Sequence, residues 1–539
     1  MKRSDPVTLA AAMAAVLGLA TWAGLARGGL YPVMHEGDML HMVQIVLREA
    51  AGEWPHLDFM TPLGVLAFAP VTLFVRLGWP LAEAFVLGQA LVGVVILPAA
   101  WWAGLGRLPR GWAHLFGAGI MVLVVALVPA TPDPDISLSM NYNRWAWALL
   151  FVVLVVAVLP ARWAGPRARL GDGLVLGLGL AALALIKVTF FLAAAPVVVL
   201  ALWLGRDRLG AIVALAAGLA VTLAVTMAAG PMIWPAYLGD LGAVASTEVR
   251  AYPSASLPDV VAGTAARVGS LLYLAAVILA RRAGQARAGL LLLAAAPGLV
   301  YVTYQNFGND PVWLFFLGLA ALALRPVPGG RHAGPGQGLT VAGWGALLLV
   351  APVFMAMAES PLRNLAAGEA GRVEILPGNQ GIWMPDDRVA HVQTRVSRAL
   401  FAGEPAAQAH TLPEPTLLLG QPLENCRLIS GLVGWFRTVS DDIGASEFGG
   451  RPVLVADMLN AYWLYGGVAP LPGGAPWYYG GLPGVEVAEL LLVPQCATRP
   501  DVRARVLREL ADGGFGLTEL RRTPDYVLLA IRPAAESAR

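Results

Sequence analysis

The chain has 539 residues, of which 57% are hydrophobic and 13% charged, about half the roughly 25% charge of an ordinary soluble domain. One soluble core cannot absorb that much apolar surface, and a disordered chain carries far less of it. Lys+Arg 37 against Asp+Glu 35 leaves a formal charge of +2, which supplies no basic field for a nucleic acid, and Cys426 and Cys496 alone exclude a disulfide-dense scaffold.

Apolar runs fill the first two thirds, at roughly 7–26, 62–77, 81–104, 112–130, 144–160, 172–187, 189–205, 210–233, 260–280, 288–303, 311–324 and 339–357. About 20 residues cross a ~30 Å hydrocarbon core as a helix, and lipid leaves no other way to satisfy the backbone of such a segment. The first run follows Lys2 and Arg3 but is longer than a signal-peptide core, which favours a retained helix. The run 62–77 is short and begins at Thr61-Pro62, as a re-entrant segment would. The reading is a polytopic α-helical membrane protein of about 11–13 spans.

Arginines concentrate in the loops Arg107–Arg110, Arg162–Arg169, Arg206–Arg208, Arg281–Arg287 and Arg325–Arg331. The basic-inside rule puts these in the cytoplasm, and the alternating loops 27–61, 131–143, 234–259 and 304–310 outside. Charged and turn residues return after 357. The expected division is therefore a helical membrane domain, 1–357, and an extracytoplasmic α/β domain, 358–539, in a bacterial-type inner (plasma) membrane. In the tail, Thr416–Gly420, Pro452–Asp457, Glu489–Pro494 and Tyr526–Arg532 read as strands, and Arg499–Gly513 as a helix. Cys426 and Cys496 both fall there, either as a disulfide or as two thiols.

The loop 27–61 carries Glu36, Asp38, Glu49, Glu53 and Asp58 with His35, His41 and His56. Leu40, Val43, Leu47 and Ala51 recur at helical spacing, as in an amphipathic helix lying along a membrane surface. Asp38 then sits in a first turn, where a carboxylate either complements the helix dipole or serves chemistry. Two carboxylates two residues apart suit a general base or a cation ligand.

Further along, Asp133, Asp135, Asn141, Asn143 and Arg144 cluster before an apolar helix. Arg144 is either a bidentate phosphate clamp or an interfacial anchor beside Trp145 and Trp147. Lys187 interrupts an apolar stretch, either as a lipid-phosphate contact or as a snorkelling turn residue. Asn306 and Asp310 lie in the polar loop Tyr304–Pro311, which reads either as a sugar-binding edge or as a plain turn. Asp457, Asn460, Tyr462, Trp463, Trp477, Tyr478 and Tyr479 form either a sugar-stacking platform or tail packing. No Walker loop, Rossmann fingerprint, nucleophile elbow or Cys/His zinc signature occurs.

The stretch Gly52-Glu53-Trp54-Pro55-His56-Leu57-Asp58-Phe59, followed by Thr61-Pro62-Leu63-Gly64, resembles the first external loop of the GT-C class of integral-membrane glycosyltransferases. That class includes protein mannosyltransferases and the lipid A aminoarabinose transferase. The motif covers about 40 residues, and Glu-Gly-Asp at 36–38 departs from the usual Asp-Glu or Asp-x-Asp pair. The resemblance implies a hexosyl- or pentosyltransferase, inverting, using a polyprenyl-phosphate-linked sugar. Glu36 or Asp38 is then the base, with Asp58 in the catalytic loop and His41, His56, Arg144, Lys187, Asn306 and Asp310 binding substrate. The acceptor is a lipid, glycan or protein hydroxyl. The sequence requires no cofactor, although a divalent cation is compatible with it. A carrier or flippase of lipid-linked glycans is the alternative.

Overall fold

The computed structural model describes residues 5–247, 249, 257–306, 310–326, 333–390, 395–397, 416–423, 426–428 and 430–532. It divides into two compact units. The first comprises Met1–Leu30, Leu63–Pro231 and Tyr252–Gly368; the second comprises Tyr31–Pro62, Met232–Ala251 and Glu369–Arg539.

The helices in chain order are α1 (Pro6–Leu25), α2 (Glu36–Ala50), α3 (Ala69–Arg76), α4 (Leu81–Arg107), α5 (Arg110–Val125), α6 (Asn141–Val158), α7 (Pro166–Ile186), α8 (Val188–Gly205), α9 (Arg208–Ala229) and α10 (Ile233–Ala245). There follow α11 (Leu257–Ala262), α12 (Thr264–Arg282), α13 (Ala286–Gln305), α14 (Leu314–Ala323) and α15 (Ala333–Ala366). Among the described residues, nine helices are long and apolar enough to cross a membrane: α1, α4, α6, α7, α8, α9, α12, α13 and α15. The chain is a polytopic α-helical membrane protein with a small C-terminal sheet region.

The first unit is a helical bundle with α6 at its centre, packed against α4, α5, α7 and α8. Almost every residue of α6 is buried. The ten-residue α14 is buried from Leu314 to Leu322, so it faces protein along its length. Segment 62–77 folds as a 3-10 turn (Val65–Ala67) and the eight-residue α3, too short to cross. Small residues set the packing of α1: Leu17 lies against Gly93 of α4, and Met13 against Gly117 of α5.

The second unit has a four-stranded sheet in the order Val453–Val455, Leu490–Pro494, Tyr526–Arg532, Gly516–Arg522. The first pair is parallel and the other two are antiparallel. The central strand Leu490–Pro494 is buried throughout, which explains its unbroken apolar run. The helix Pro500–Asp512 is at the expected place; Val502, Val506 and Leu510 join the sheet's core. Elements not read from the sequence include the helices Ile233–Ala245 and Leu432–Gly444, the strand pair Arg372–Glu374 and Trp383–Pro385, and the edge strand Gly516–Arg522. Cys426 and Cys496 are joined as a disulfide.

The surface-helix expectation for α2 needs correcting. α2 forms where the periodicity puts it, but most of its residues are buried, and C-terminal residues of its own unit pack against it. Gln44 Nε2 donates to the Pro476 carbonyl at 3.3 Å, and Trp463 Nε1 donates to Gln44 Oε1 at 2.9 Å. Gly37 lets Leu459 approach the helix start closely, and the rings of His41 and Trp477 lie 5.4 Å apart. The apolar face that suggested lipid is a protein-packing face.

Candidate active site

In the second unit, His35 enters α2 in the left-handed region (φ 61). Glu36 follows, only 6% exposed. Its Oε2 accepts from the Leu432 amide at 3.2 Å, at the start of the Leu432–Gly444 helix, and Arg388 Nε stands 3.5 Å from Oε1. A carboxylate at a helix N-terminus complements the dipole. Burial nevertheless holds the Glu36 carboxyl above its ordinary range, and Arg388 and the Leu432 amide only partly offset this. Asp38, one residue beyond Gly37, is half-buried. Of the two carboxylates, Glu36 is sequestered as an internal cap and Asp38 keeps access to solvent.

The distinctive turn of the loop closes on itself. Asp58 Oδ2 accepts from the Trp54 amide at 2.6 Å, and the His56 amide donates to the Phe59 carbonyl at 2.8 Å. Arg48 of α2 clamps this turn: Nε donates to Glu53 at 2.6 Å, Nη2 donates to the Asp58 carbonyl at 3.2 Å, and the guanidinium lies 4.7 Å from the Phe59 ring centre. Asp58 is therefore a loop-shaping residue whose carboxylate is tied to backbone.

His56 stands against a residue that sequence reading missed. Its Nδ1 lies 2.8 Å from Asp240 Oδ2, and the Thr61 amide donates to the same oxygen at 3.1 Å. Its ring centre is 4.5 Å from that of Tyr237. Asp240 and Tyr237 both belong to α10. Of the two readings of the aromatic residues in the tail, packing is the one most of them follow. Tyr462 is buried and accepts from Trp435 Nε1 at 3.2 Å; Tyr478 donates to Glu509 at 3.0 Å. Asp457 is buried and accepts from the Thr498 and Arg499 amides at the start of the Pro500–Asp512 helix. Burial raises the Asp457 carboxyl, which these bonds partly offset. Trp463 and Trp477 remain half-buried, beside α2.

In the first unit, Lys187 occupies the break between α7 and α8, in extended backbone (φ −157, ψ 112). Its Nζ donates to Asn143 Oδ1 at 3.0 Å and to Asn306 Oδ1 at 2.6 Å, and lies 5.7 Å from the Tyr142 ring centre. An ammonium is donor-only, so both amides turn their oxygens toward it. That leaves Asn143 Nδ2 and Asn306 Nδ2 buried without a partner among the described residues. The Tyr304–Pro311 expectation therefore gains Asn306; Phe307, Gly308 and Asn309 lie outside the described residues. Burial raises the Asp310 carboxyl, and no described contact joins Asp310 to Lys187.

Arg144 follows Asn143 on α6, about 100° further round the helix. It is 1% exposed, so it is no headgroup anchor. Its Nη2 donates to the Ala126 carbonyl at 2.6 Å, while Nε and Nη1 have no partner among the described residues. The Lys187 break is itself fixed by Gly64. The Gly64 amide donates to the Ile186 carbonyl at 3.2 Å, and a methyl group at Gly64 would collide with the Leu185 backbone. The Thr-Pro-Leu-Gly signature thus has a packing cause.

Among the described residues, no three His, Cys, Asp or Glu side chains converge as metal ligands. What the first unit offers is a donor cluster of half-buried Lys187 with buried Asn143 and Asn306, which suits an anion, and a buried Arg144 on the next position of α6. What the second offers is an accessible carboxylate, Asp38, beside a sequestered one.

No family model and no curated protein matches this chain. Two solved structures are similar over nearly its whole length. One is ArnT from Cupriavidus metallidurans bound to undecaprenyl phosphate, with 13% identity, 97% of each chain covered and a TM-score of 0.42. The other is the same protein in the apo state, with 13% identity, 96% of this chain and 97% of that one covered, and a TM-score of 0.44. Likenesses this distant carry no functional weight, and the site is read from its own residues.

Proposed function

We propose that the chain is an integral-membrane glycosyltransferase that takes its sugar from a polyprenyl-phosphate-linked donor. The observation that carries the reading is the donor cluster around Lys187. A half-buried ammonium held by two amides whose Nδ2 groups are themselves buried without a partner among the described residues is costly unless an anion completes it. A lipid phosphate at the break of two apolar helices meets that need, and its charge grows as the glycosidic bond breaks. Sugar transfer is supported by the GT-C-like turn at Gly52–Phe59 and Thr61–Gly64, whose residues are held by specific bonds.

In this reading Lys187, with Asn143 and Asn306, holds the donor phosphate. Arg144 adds positive potential from inside the bundle. Asp38 takes the proton from the acceptor hydroxyl as it attacks the anomeric carbon on the face opposite the leaving phosphate, which inverts the configuration. Glu36 positions α2 against the Leu432–Gly444 helix. Asp58 shapes the turn, and His56 and Asp240 attach it to α10. His41, beside Trp477, is kept as an acceptor-side contact and Asp310 as a polar neighbour of the donor loop. The membrane is of the bacterial inner type, with the second unit outside the cytoplasm.

The test uses purified protein in lipid nanodiscs with a panel of polyprenyl-phosphate sugars and a membrane extract supplying lipid, glycan and protein acceptors. Labelled product that Asp38→Asn abolishes, with donor binding retained, is the expected result. Donor binding without turnover across the panel and extract favours a carrier of lipid-linked glycans instead.

A further inference from the structure

The bundle also holds a cleft that runs from the last turns of α7 and first turns of α8 to the α8–α9 turn, lined by none of the residues assigned to sugar transfer. α9 packs closely along α7, where Gly173 and Gly177 meet the backbone at Gly210 and Ala214. α9 touches α8 only sparsely. The space between them is a cleft of about 1110 Å³. Its walls are apolar, with Leu180 and Ala184 from α7, Phe191 and Val198 from α8, and Leu215 and Leu219 from α9. One end is closed by the turn from α8 to α9, where Arg206, Asp207 and Arg208 line it. The cleft is thus greasy along its length and charged at one end.

Of the charges at that end, only Asp207 has a side-chain bond to the fold among the described residues. Asp207 is committed: its carboxylate accepts from the Gly210 amide at 2.9 Å and caps α9. Arg206 and Arg208 are exposed and have no side-chain partner among the described residues. A second cavity of about 500 Å³ adjoins the same turn, sharing Leu202 and Asp207, and adds Arg169 and Arg287 to its rim. Trp203, 73% exposed, stands at this end too, as aromatic residues do at a bilayer interface.

We propose that this cleft is a binding site for an anionic diacyl phospholipid. The acyl chains lie between α8 and α9, and the phosphodiester rests between Arg206 and Arg208. Charge complementarity chooses the occupant. A zwitterionic lipid brings its own cation to two free arginines, whereas an anionic one brings net negative charge and the chains the walls require. Basic pockets between membrane helices bind such headgroups by this combination. The site stands independently of the transferase reading, since none of its residues is assigned to that chemistry.

The test uses the full-length protein, purified in detergent and stripped of lipid, then titrated with phosphatidylglycerol or phosphatidylcholine. Bound lipid is counted by native mass spectrometry. Phosphatidylglycerol is expected to bind more tightly by about 25-fold, at about fivefold per arginine near an anionic headgroup. The double variant Arg206→Ala/Arg208→Ala should erase that preference, while Arg282→Ala, outside the cleft, should keep it. Gly218 lines the cleft, and a methyl group there meets nothing within 4 Å. Gly218→Phe therefore fills the cleft without disturbing the helix and should weaken both lipids. Equal binding of the two lipids by the parent protein overturns the proposal, as does a preference that survives the double arginine variant or a count unchanged by Gly218→Phe.

Discussion

Asp38 and Glu36 are two residues apart, yet packing gives them different tasks. Glu36 is internal and accepts from the Leu432 amide, whereas Asp38 keeps solvent access. Asp38→Asn should lower turnover by about 10²–10⁴-fold, the usual worth of a general base, with donor affinity unchanged in a binding assay. Glu36→Gln should instead leave a pH signature in stability. Burial raises the folded carboxyl, so the folded state binds its proton more tightly than the unfolded state does. Stability therefore falls as pH rises from the unfolded value, about 4.3, through the raised folded one. Melting curves across that window should show the fall in the parent protein and lose it in Glu36→Gln. At Lys187 the expected effect is on binding: Lys187→Met should weaken donor affinity about 10–100-fold, as loss of a charge-assisted hydrogen bond does. The residue types were legible because charges are rare in so apolar a chain. Their partners were not: His56 meets Asp240, 184 positions away, and no local pattern records that pairing.

The elements show where periodicity stops being informative. The spacing of Leu40, Val43 and Leu47 identified α2, but an apolar stripe does not say whether lipid or protein will cover it. Here Leu40 and Val43 are buried inside the protein, and Pro476, Trp463 and Trp477 pack on the neighbouring Gln44 and His41. The aromatic residues from Tyr462 to Tyr479 stayed open between stacking face and tail packing for the same reason, since composition does not separate the two, and burial of Tyr462, Tyr478 and Tyr479 favours packing. The helix Leu432–Gly444 had a readable signal in Val433, Phe436, Val439 and Ile443, all buried. The strand Gly516–Arg522 was harder, because it lies at the sheet edge and is mostly exposed. Gly64 gives the test at this scale. A side chain there must push back the Leu185 backbone, so Gly64→Ala should cost about 1–3 kcal/mol, as overpacking does. Because the collision falls beside the α7–α8 break, donor binding should weaken as well. A thermal-shift assay and a donor titration on the same sample measure the two effects.

At the scale of the whole chain, the sequence divided sharply near residue 357, from apolar spans to a charged tail. Composition records which segments are apolar, but not which distant segments share a core. The second compact unit draws on three stretches, Tyr31–Pro62, Met232–Ala251 and Glu369–Arg539. α2 supplies Leu40, Val43, Ile45 and Val46 as buried residues, and α10 supplies Asp240 to His56. A tail of about 170 residues is long enough for a domain on length alone, but without α2 it lacks the partner of Trp463 and the cover of Leu459 and Trp477. The Cys426–Cys496 disulfide, with a sequence separation of 70, constrains the unfolded tail and contributes about 2–5 kcal/mol. It does not replace the missing apolar surface. Residues 369–539 expressed alone under oxidising conditions should therefore keep secondary structure in far-ultraviolet circular dichroism but melt without a cooperative transition. Joining residues 31–62 to the tail through a Gly/Ser linker should restore much of that transition and the near-ultraviolet signal of Trp463 and Trp477. A sharp, cooperative melt of residues 369–539 alone would show instead that the tail folds without the first loop, leaving α2 a docked element rather than part of its core.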